Sequence, residues 1–312
     1  MAGAAMFSVR IVSAAGEPPA WAYPIPSPDS RPVPDSGAIL RVPGTRAGYT
    51  RSQLRDRFLA PDWHPADHPK MPDIVAHGRK PDVYACGFCH RADGPGGPEN
   101  ASLAGLPYVY IVRQMSDFKS GKRSTALPER LPQAGMIALA KVLTEEEVEA
   151  AAKYFSSLKP RQALRVVETE RVPKTYVANW FLAVQEGAEK EALGRRIVET
   201  PENLEQFENR DTHSTFVAYV PPGSLREGAS IVRGQRPSLA PPCATCHGSD
   251  LRGKEGAPSI AGRSPSYIVR QMYDIQTGAR NGSGVLLMKP SVARLTPHAM
   301  IAVAAYLASL KP

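Results

Sequence analysis

Two stretches of the chain place apolar residues at helical spacing behind a helix-start signal. In the first, Thr144 is followed by three glutamates and then by an apolar stripe at Val148, Ala151, Ala152, Phe155 and Leu158. In the second, Thr296 and Pro297 precede a stripe at Met300, Ile301, Ala304, Tyr306, Leu307 and Leu310. Threonine at the N-cap and proline at the first helical position are typical of helix starts. The pattern therefore predicts an amphipathic helix in each place.

These two helices end the two copies of an internal repeat. At an offset of 157, residues 110–115 (YIVRQM) recur as 267–272. Beyond a gap of five residues the offset is 152, and residues 157–160 (SLKP) recur as 309–312. A unit this long indicates two copies of one domain, because the units of solenoid proteins are much shorter.

Two segments have no counterpart in the repeat. Residues 1–65 are rich in proline, which predicts an extended arm, and apolar side chains such as Trp21 and Tyr23 indicate that the arm lies along the folded body. Residues 161–226 alternate apolar and polar positions in places, which predicts a few strands. We expect a mainly α fold with an N-terminal arm (1–65), a first copy (66–160), a mixed connector (161–226) and a second copy (227–312).

Charge and hydropathy narrow the classes of partner. No stretch approaches the roughly 20 apolar residues of a transmembrane helix. Residues 1–15 hold a short apolar run interrupted by Arg10, which fits a truncated or atypical export leader. The net charge is +8, and residues 227–312 alone carry +6. Because these basic residues are spaced singly, we expect a solvated surface or a docking face for an acidic protein, not a nucleic-acid site.

All four cysteines fall in two copies of the motif C-x-x-C-H. The residues are Cys86, Cys89 and His90 in the first copy and Cys243, Cys246 and His247 in the second. This is the pattern of covalent haem attachment, in which two thiols bind the vinyl groups and the imidazole binds the iron. Paired zinc-binding motifs lie about 15–20 residues apart, whereas these lie 157 apart, and a redox dithiol would not explain both histidines. The sequence therefore predicts two covalently attached c-type haems.

A second axial ligand must be sought among the methionines. Met136 and Met288 correspond in the repeat and are predicted on loops before the final helices. A thioether raises the haem potential relative to a second histidine. Met115 and Met272 also recur, but they lie in the predicted YIVRQM helix and resemble core residues. We predict Met136 and Met288 as ligands, the alternative being that they are ordinary core methionines.

With these ligands, both copies resemble the class I cytochromes c, and the duplication resembles the periplasmic di-haem cytochrome c-four group. The resemblance covers residues 66–160 and 227–312 and rests on the two C-x-x-C-H motifs and the placed methionines. It implies two tandem class I cytochrome c domains. It further implies that the carbonyl of Pro258 accepts a hydrogen bond from His247. The first copy has Ala101 in place of that proline.

Several other polar residues are candidates for roles around the haems. The recurring Tyr110, Arg113, Tyr267 and Arg270 are within reach of a haem propionate on the helix after each motif, the alternative being helix packing. The remaining histidines do not recur, and we predict surface or supporting roles for them: His64, His68, His77, His213 and His298.

The resemblance implies electron transfer in the periplasm, not catalysis on a substrate. The expected partners are a periplasmic dehydrogenase as donor and an acidic acceptor or a terminal oxidase pathway. The arm and connector favour an alternative, a stable subunit of a larger dehydrogenase complex. A third alternative is a di-haem enzyme, such as a peroxidase. Because the second copy is the basic one, we expect the first haem to face the protein body and the second an acidic partner.

Overall fold

The structure is a computed structural model that describes residues 17–28 and 34–312. The expected leader at residues 1–15 lies outside these residues. The described chain is a mixture of helices and some strands, with thirteen α-helices and seven strands. This mixture agrees with the prediction of a mostly helical chain that contains a few strands. None of the helices in these residues is long and apolar enough to cross a membrane.

The first copy is built from five helices around one apolar core. They are α2 (Asp73–Ala76), α3 (Cys86–His90), α4 (Tyr108–Lys119), α5 (Leu131–Val142) and α6 (Glu145–Ser157). Helix α4 packs against α5 and α6, and α2 packs against α3 and α6. Thr144 caps α6 as predicted, and with Glu147 it forms a capping box: the Thr144 side chain accepts from the Glu147 amide and the Glu147 side chain accepts from the Thr144 amide.

The second copy repeats this plan with six helices. They are α8 (Ser224–Val232), α9 (Ala244–His247), α10 (Pro265–Gln276), α11 (Ser283–Leu286), α12 (Lys289–Val292) and α13 (Pro297–Ser309). Helix α13 packs against α8 and α10 and is buried along most of its length. As predicted, Thr296 caps it and Pro297 is its first residue.

One backbone contact shows the repeat in three dimensions. The Gly105 amide donates to the Phe155 carbonyl at 3.0 Å, and the Gly262 amide donates to the Leu307 carbonyl at 2.8 Å. Both glycines have φ near +70°. A side chain at either position would also meet the proline that ends its own copy, at 2.9 and 2.8 Å. The two glycines therefore lie in equivalent turns. Each turn brings the last helix of its copy against the loop that follows its haem motif.

The connector contains all seven strands and one short helix. They are β1 (Leu164–Glu168), β2 (Arg171–Pro173), β3 (Thr175–Ala178), β4 (Phe181–Val184), β5 (Lys190–Ala192), β6 (Val198–Pro201), α7 (Leu204–Glu208) and β7 (Phe216–Val220). One sheet has the order β1-β7-β6, with β1 parallel to β7, and two antiparallel pairs join β2 to β5 and β3 to β4. Helix α13 packs on β1 and β7, so the connector is joined to the second copy.

The described part of the arm packs against the rest of the protein. A short 3-10 turn at Ala20–Ala22 leads to Tyr23, which is buried in the core of the second copy and donates from its hydroxyl to Asp274 Oδ1 at 3.0 Å. Further on, after α1 (Arg51–Arg55), the indole of Trp63 donates to the Asn209 carbonyl of the connector at 2.8 Å. The arm thus contacts both the second copy and the connector.

Two histidine–aspartate pairs join the end of the arm and the start of the first copy to the connector in a reciprocal way. His64 of the arm bonds to Asp211 at 2.8 Å, and His213 of the connector bonds to Asp67 at 2.6 Å. The two imidazole rings stack with centroids 3.6 Å apart and planes 6° apart. We call these four residues the histidine–aspartate junction. His64 and His213, for which surface or supporting roles are predicted, thus hold two segments together.

A further histidine, at the start of the first copy, makes the stability depend on pH. His68 has a side chain only 3% exposed, and its two ring nitrogens face Asp62 at 3.2 Å and the Pro69 carbonyl at 2.9 Å. The Asp62 hydrogen bond raises the pKa of His68 above its ordinary value. A raised pKa in the folded state gives stability that is fully present below the unfolded pKa of about 6.5 and is lost as the pH rises through the folded pKa.

We therefore expect the free energy of unfolding to fall by about 1 kcal/mol as the pH is raised from 6 through this window. Denaturant titrations of the wild type and of His68→Gln across this range measure it, and the variant should lose the pH-dependent step. His298→Gln is the matched control because the His298–Glu227 pair is exposed. A step of unchanged size in His68→Gln would contradict the prediction.

Candidate haem-binding sites

Both C-x-x-C-H motifs form a single helical turn that directs the two thiols to one side. In the first copy the turn is α3, and in the second it is α9 with Cys243 as its N-cap in helical conformation. Residues three apart lie on one face of a helix, so the two sulfurs can reach one macrocycle. Burial raises the pKa of Cys86 to about 12 and that of Cys243 to about 11, which keeps both thiols neutral.

The two histidines are oriented in the same way by the backbone. The Nδ1–H of His90 donates to the Ala101 carbonyl at 2.8 Å, and that of His247 donates to the Pro258 carbonyl at 2.8 Å. Burial lowers the pKa of both imidazoles, so they are neutral. A neutral ring that donates from Nδ1 presents the lone pair of Nε2, which is the form that binds a metal.

One buried atom tests whether the site fits a haem. The Nε2 of His247 is buried and has no hydrogen-bond partner among the described residues. Such an unpaired polar atom is costly in a protein interior. A haem iron bound to Nε2 would satisfy it, and the adjacent thiols match the covalent attachment of the same group. The residues present therefore fit a c-type haem.

A cleft beside His90 brings together three of the six residues predicted for the first site, namely His90, Tyr110 and Met136. Its empty volume, counted out to its open mouth, is about 790 Å³. The lining includes His90, Tyr110, Met115, Met136 and Tyr267, with apolar walls from Leu103, Leu106, Ile111 and Phe118. A mostly apolar cleft with a few convergent polar groups is usual for a cofactor.

The candidate methionine ligands occupy different local structures. Met136 lies in the middle of α5, so the prediction that it sits on a loop is wrong. Neither Pro132, in the first helical turn where proline is tolerated, nor Gly135 interrupts the helix. Met288 is half-buried between α11 and α12 and packs against the core of the second copy together with Cys243. Met272 is buried in that core, whereas Met115 lines the first cleft.

Of the four residues predicted to contact a haem propionate, the two tyrosines line the cleft and the two arginines do not. Tyr110 and Tyr267 line the cleft, and their hydroxyls accept hydrogen bonds from arginines. Arg113 is exposed. Arg270 is buried and donates to the carbonyls of Ala22 at 2.7 Å and Pro98 at 2.5 Å. The structure thus places Arg270 on protein carbonyls, which is the helix-packing alternative.

The main polar contact between the copies was not predicted. Arg123 donates to Tyr267 at 3.0 Å and to Gln271 at 3.1 Å, while Arg280 donates to Tyr110 at 2.9 Å and to Gln114 at 2.8 Å. The backbones of the two arginines also form an antiparallel bridge. Burial alone would raise the pKa of Tyr110, but Arg280 and Arg123 lower it.

The sequence held a signal for this contact. Arg123 and Arg280 are related by the same offset of 157 as the haem motifs, and each follows a recurring glycine by two residues. The arrangement is therefore reciprocal: the arginine of each copy reaches the tyrosine of the other. Because Arg123 and Tyr267 both line the first cleft, the join between the copies lies at the mouth of the haem site.

Comparisons with known proteins agree with this geometry. The family profile described as "Cytochrome c" matches residues 231–311. The "Thiosulfate dehydrogenase electron acceptor" of Thiomonas intermedia is 26% identical over 239 residues, covering 73% of this chain and 80% of that protein. The "Cytochrome c4" of Stutzerimonas stutzeri is 23% identical over 235 residues, covering 73% of this chain and 85% of that protein.

A solved structure shares the fold. The thiosulfate dehydrogenase (TsdBA) of Marichromatium purpuratum matches with a TM-score of 0.50 and 26% identity over 75% of this chain. The match spans only 38% of that longer chain.

Two haem-attachment motifs in a repeated fold with these relatives define a di-haem c-type cytochrome, with two covalently attached haems. More particularly, the chain is similar to the c4-like class I cytochromes, and its function is electron transfer. The predicted family, cofactors and function class are confirmed.

Proposed function

We propose that residues 66–160 and 227–312 form two tandem class I cytochrome c domains with one His/Met haem each. His90 and Met136 would bind the first iron, and His247 and Met288 the second. The observation that carries this proposal is the identical Nδ1–H bond at both motifs, which leaves the Nε2 of each histidine as a ligand. Each haem supplies one-electron chemistry when bound, by cycling between ferric and ferrous iron.

This ligand set supports electron transfer over substrate chemistry. With histidine and methionine both bound, the metal has no open position for a small molecule. The protein residues then hold the ring of each histidine, exclude water with apolar walls and keep the site geometry constant between oxidation states. A peroxidase-like enzyme would need one ligand to leave.

We further propose that the chain acts in the periplasm and accepts electrons from a dehydrogenase. Two relatives are named electron acceptors of thiosulfate dehydrogenase, which makes such an enzyme the first donor to test. An acidic redox protein would be the acceptor, because the second copy carries seven exposed basic side chains: Arg233, Arg236, Arg252, Lys254, Lys289, Arg294 and Lys311.

The salt dependence of electron transfer tests the basic docking face. We expect the rate at which an acidic acceptor oxidises the reduced protein to fall on the order of tenfold between low salt and about 0.3 M, because screening weakens electrostatic steering. Stopped-flow absorbance of the haems measures the rate. Oxidation by an uncharged quinone is the control and should change little. A protein-to-protein rate that ignores ionic strength would refute the docking face.

A second candidate is a stable subunit of a larger dehydrogenase complex. The observation that favours it is the packing of the arm and connector onto the body, since a freely diffusing carrier needs neither segment. Purification of the full chain from its native source under mild conditions decides between the two. A dehydrogenase that co-elutes at constant ratio through size exclusion supports the subunit, and a lone cytochrome supports the carrier.

A further inference from the structure

The two haem-attachment turns differ in how far they are covered. At equivalent positions, Ala85 is buried while Pro242 is exposed, and Cys89 is half-buried while Cys246 is exposed. The motifs are the same in spacing and in the hydrogen bond of their histidines. The difference therefore comes from segments outside the repeat.

The arm covers one side of the first turn. The Ala85 amide donates to the Arg57 carbonyl at 2.9 Å, which pairs the arm with the residue before the motif. Ala60 lies so close to Gly87 that a methyl group added there would be 2.7 Å from the Ala60 Cβ. The equivalent residue of the second motif is Ala244, and its side chain is half-exposed.

The connector covers the other side. The guanidinium of Arg210 lies 3.7 Å from the centre of the Phe88 ring and donates to the Phe88 carbonyl at 2.6 Å. It also donates to the Leu54 carbonyl of the arm at 2.6 Å. One half-buried cation thus joins the motif, the arm and the connector. At the equivalent place in the second copy stands Thr245, which is exposed.

The histidine–aspartate junction fixes this cover in place. It joins the arm to the connector a few residues from Ala60 and Arg210 respectively. The Trp63 indole adds a hydrogen bond to the Asn209 carbonyl beside it. The cover over the first haem motif is therefore held by contacts on both of its segments, not by one loop.

The surroundings of the second haem motif have the opposite character. Leu286 and Leu287, directly before Met288, are 61% and 78% exposed. Arg294 donates to the Ser238 carbonyl at 3.2 Å, which ties the segment after Met288 to the segment before Cys243. Exposed basic side chains stand in these same two segments: Arg236, Lys289 and Arg294. An apolar centre with a charged rim is the usual composition of a protein docking surface.

We propose that the chain exchanges electrons with other proteins through the second haem alone. The docking surface consists of Thr245, Cys246, Leu286 and Leu287 with a rim of Arg236, Lys289 and Arg294. Its partner is a redox protein that carries acidic side chains around an apolar centre, since opposite potentials at the rim steer the encounter. The first haem, closed by the arm and connector, communicates through the second. This inference rests on the proposed electron-transfer function.

Paramagnetic line broadening tests the proposal on the oxidised full-length holoprotein. The shifted haem methyl resonances are recorded by proton NMR while hexacyanochromate(III), an inert paramagnetic trianion, is added. We expect the methyls of the second haem to broaden at least several-fold more than those of the first. Lys289→Glu with Arg294→Glu should reduce this broadening. Equal broadening, or stronger broadening of the first haem, would overturn the proposal.

A neutral gadolinium chelate separates exposure from charge and should show the same preference in the wild type. Phe88→Thr gives the first motif the residue of the second, and Arg210→Gln removes the cation that covers it. Either variant should make the methyls of the first haem sensitive to the neutral probe. Ala244→Gly, the control in the second motif, should change neither haem.

The outcomes of this test and of the proposed function are distinct. A redox titration of the same samples shows whether both haems take up and release electrons. Two redox-active haems that broaden equally would overturn only the single docking site. A haem that binds small ligands and is high-spin in the oxidised protein would instead overturn the electron-transfer proposal.

Discussion

Replacing Met288 by histidine is expected to lower the midpoint potential of one haem by on the order of 0.1–0.3 V, within the range of about 0.8 V that axial ligands span. The thioether of methionine stabilises ferrous iron, whereas a second imidazole stabilises the ferric state relative to it. Met136→His should lower the other haem by a similar amount. Spectroelectrochemical titration of each variant should show one haem with a lowered midpoint potential and one haem with an unchanged midpoint potential.

The matched controls are the other two recurring methionines. Met115→Leu and Met272→Leu should leave the midpoint potentials of both haems unchanged. They should also keep the methionine–iron charge-transfer band of both oxidised haems. Met115 is the informative control because it lines the same cleft as His90 and Met136. Loss of the band in Met115→Leu, with the band retained in Met136→His, would move the ligand assignment to Met115.

The features that could be predicted from the sequence are those with a local chemical signature. A C-x-x-C-H motif indicates covalent haem attachment within five residues. The helix caps at Thr144 and Thr296 can be predicted from a few neighbouring side chains. The repeat can also be found without a structure, because it only requires a comparison of the sequence with itself. These signals were enough to locate both haem motifs and the helix that ends each copy.

The remaining features depend on contacts between distant segments. Strands β3–β6 are only three or four residues long, and each becomes a strand through its pairing partner, so no periodic pattern marks it. The first strands of the connector do follow an alternating pattern: residues 164–172 form β1 and the start of β2. The cover over the first motif likewise brings residues 54–60 and Arg210 onto residues 85–88, and the charge pattern gives no hint of it.

Arg113 and Arg270 show why equivalence in a repeat does not ensure an equivalent role. The two arginines occupy the same place in the YIVRQM segment, yet Arg113 is exposed and Arg270 is 1% exposed. The difference lies in what surrounds the second helix. The arm supplies Ala22 and Tyr23, and the first copy supplies Pro98, so that Arg270 joins three parts of the chain. Burial lowers the pKa of its guanidinium.

Two buried carboxyl groups depend on this cation. Burial raises the pKa of Glu199, which accepts hydrogen bonds from Ser264 and Ser266, and of Asp274, which accepts from Tyr23. Arg270 opposes both shifts by its charge. Without it, these carboxyls would lie in the interior with less compensation, and the carbonyls that it binds would lose their donor.

We therefore expect Arg270→Met to lower the free energy of unfolding by about 3–5 kcal/mol, since removal of one member of a buried ionic network is strongly destabilising. Arg113→Met, the matched substitution in the first copy, should change it by less than about 0.5 kcal/mol because the side chain is exposed. Denaturant titrations of the two holoproteins measure the difference. The loss in Arg270→Met should also grow as the pH rises, because Glu199 and Asp274 then carry uncompensated charge. Equal losses in the two variants would contradict the prediction, because they would mean that the buried contacts of Arg270 add nothing to the free energy of unfolding.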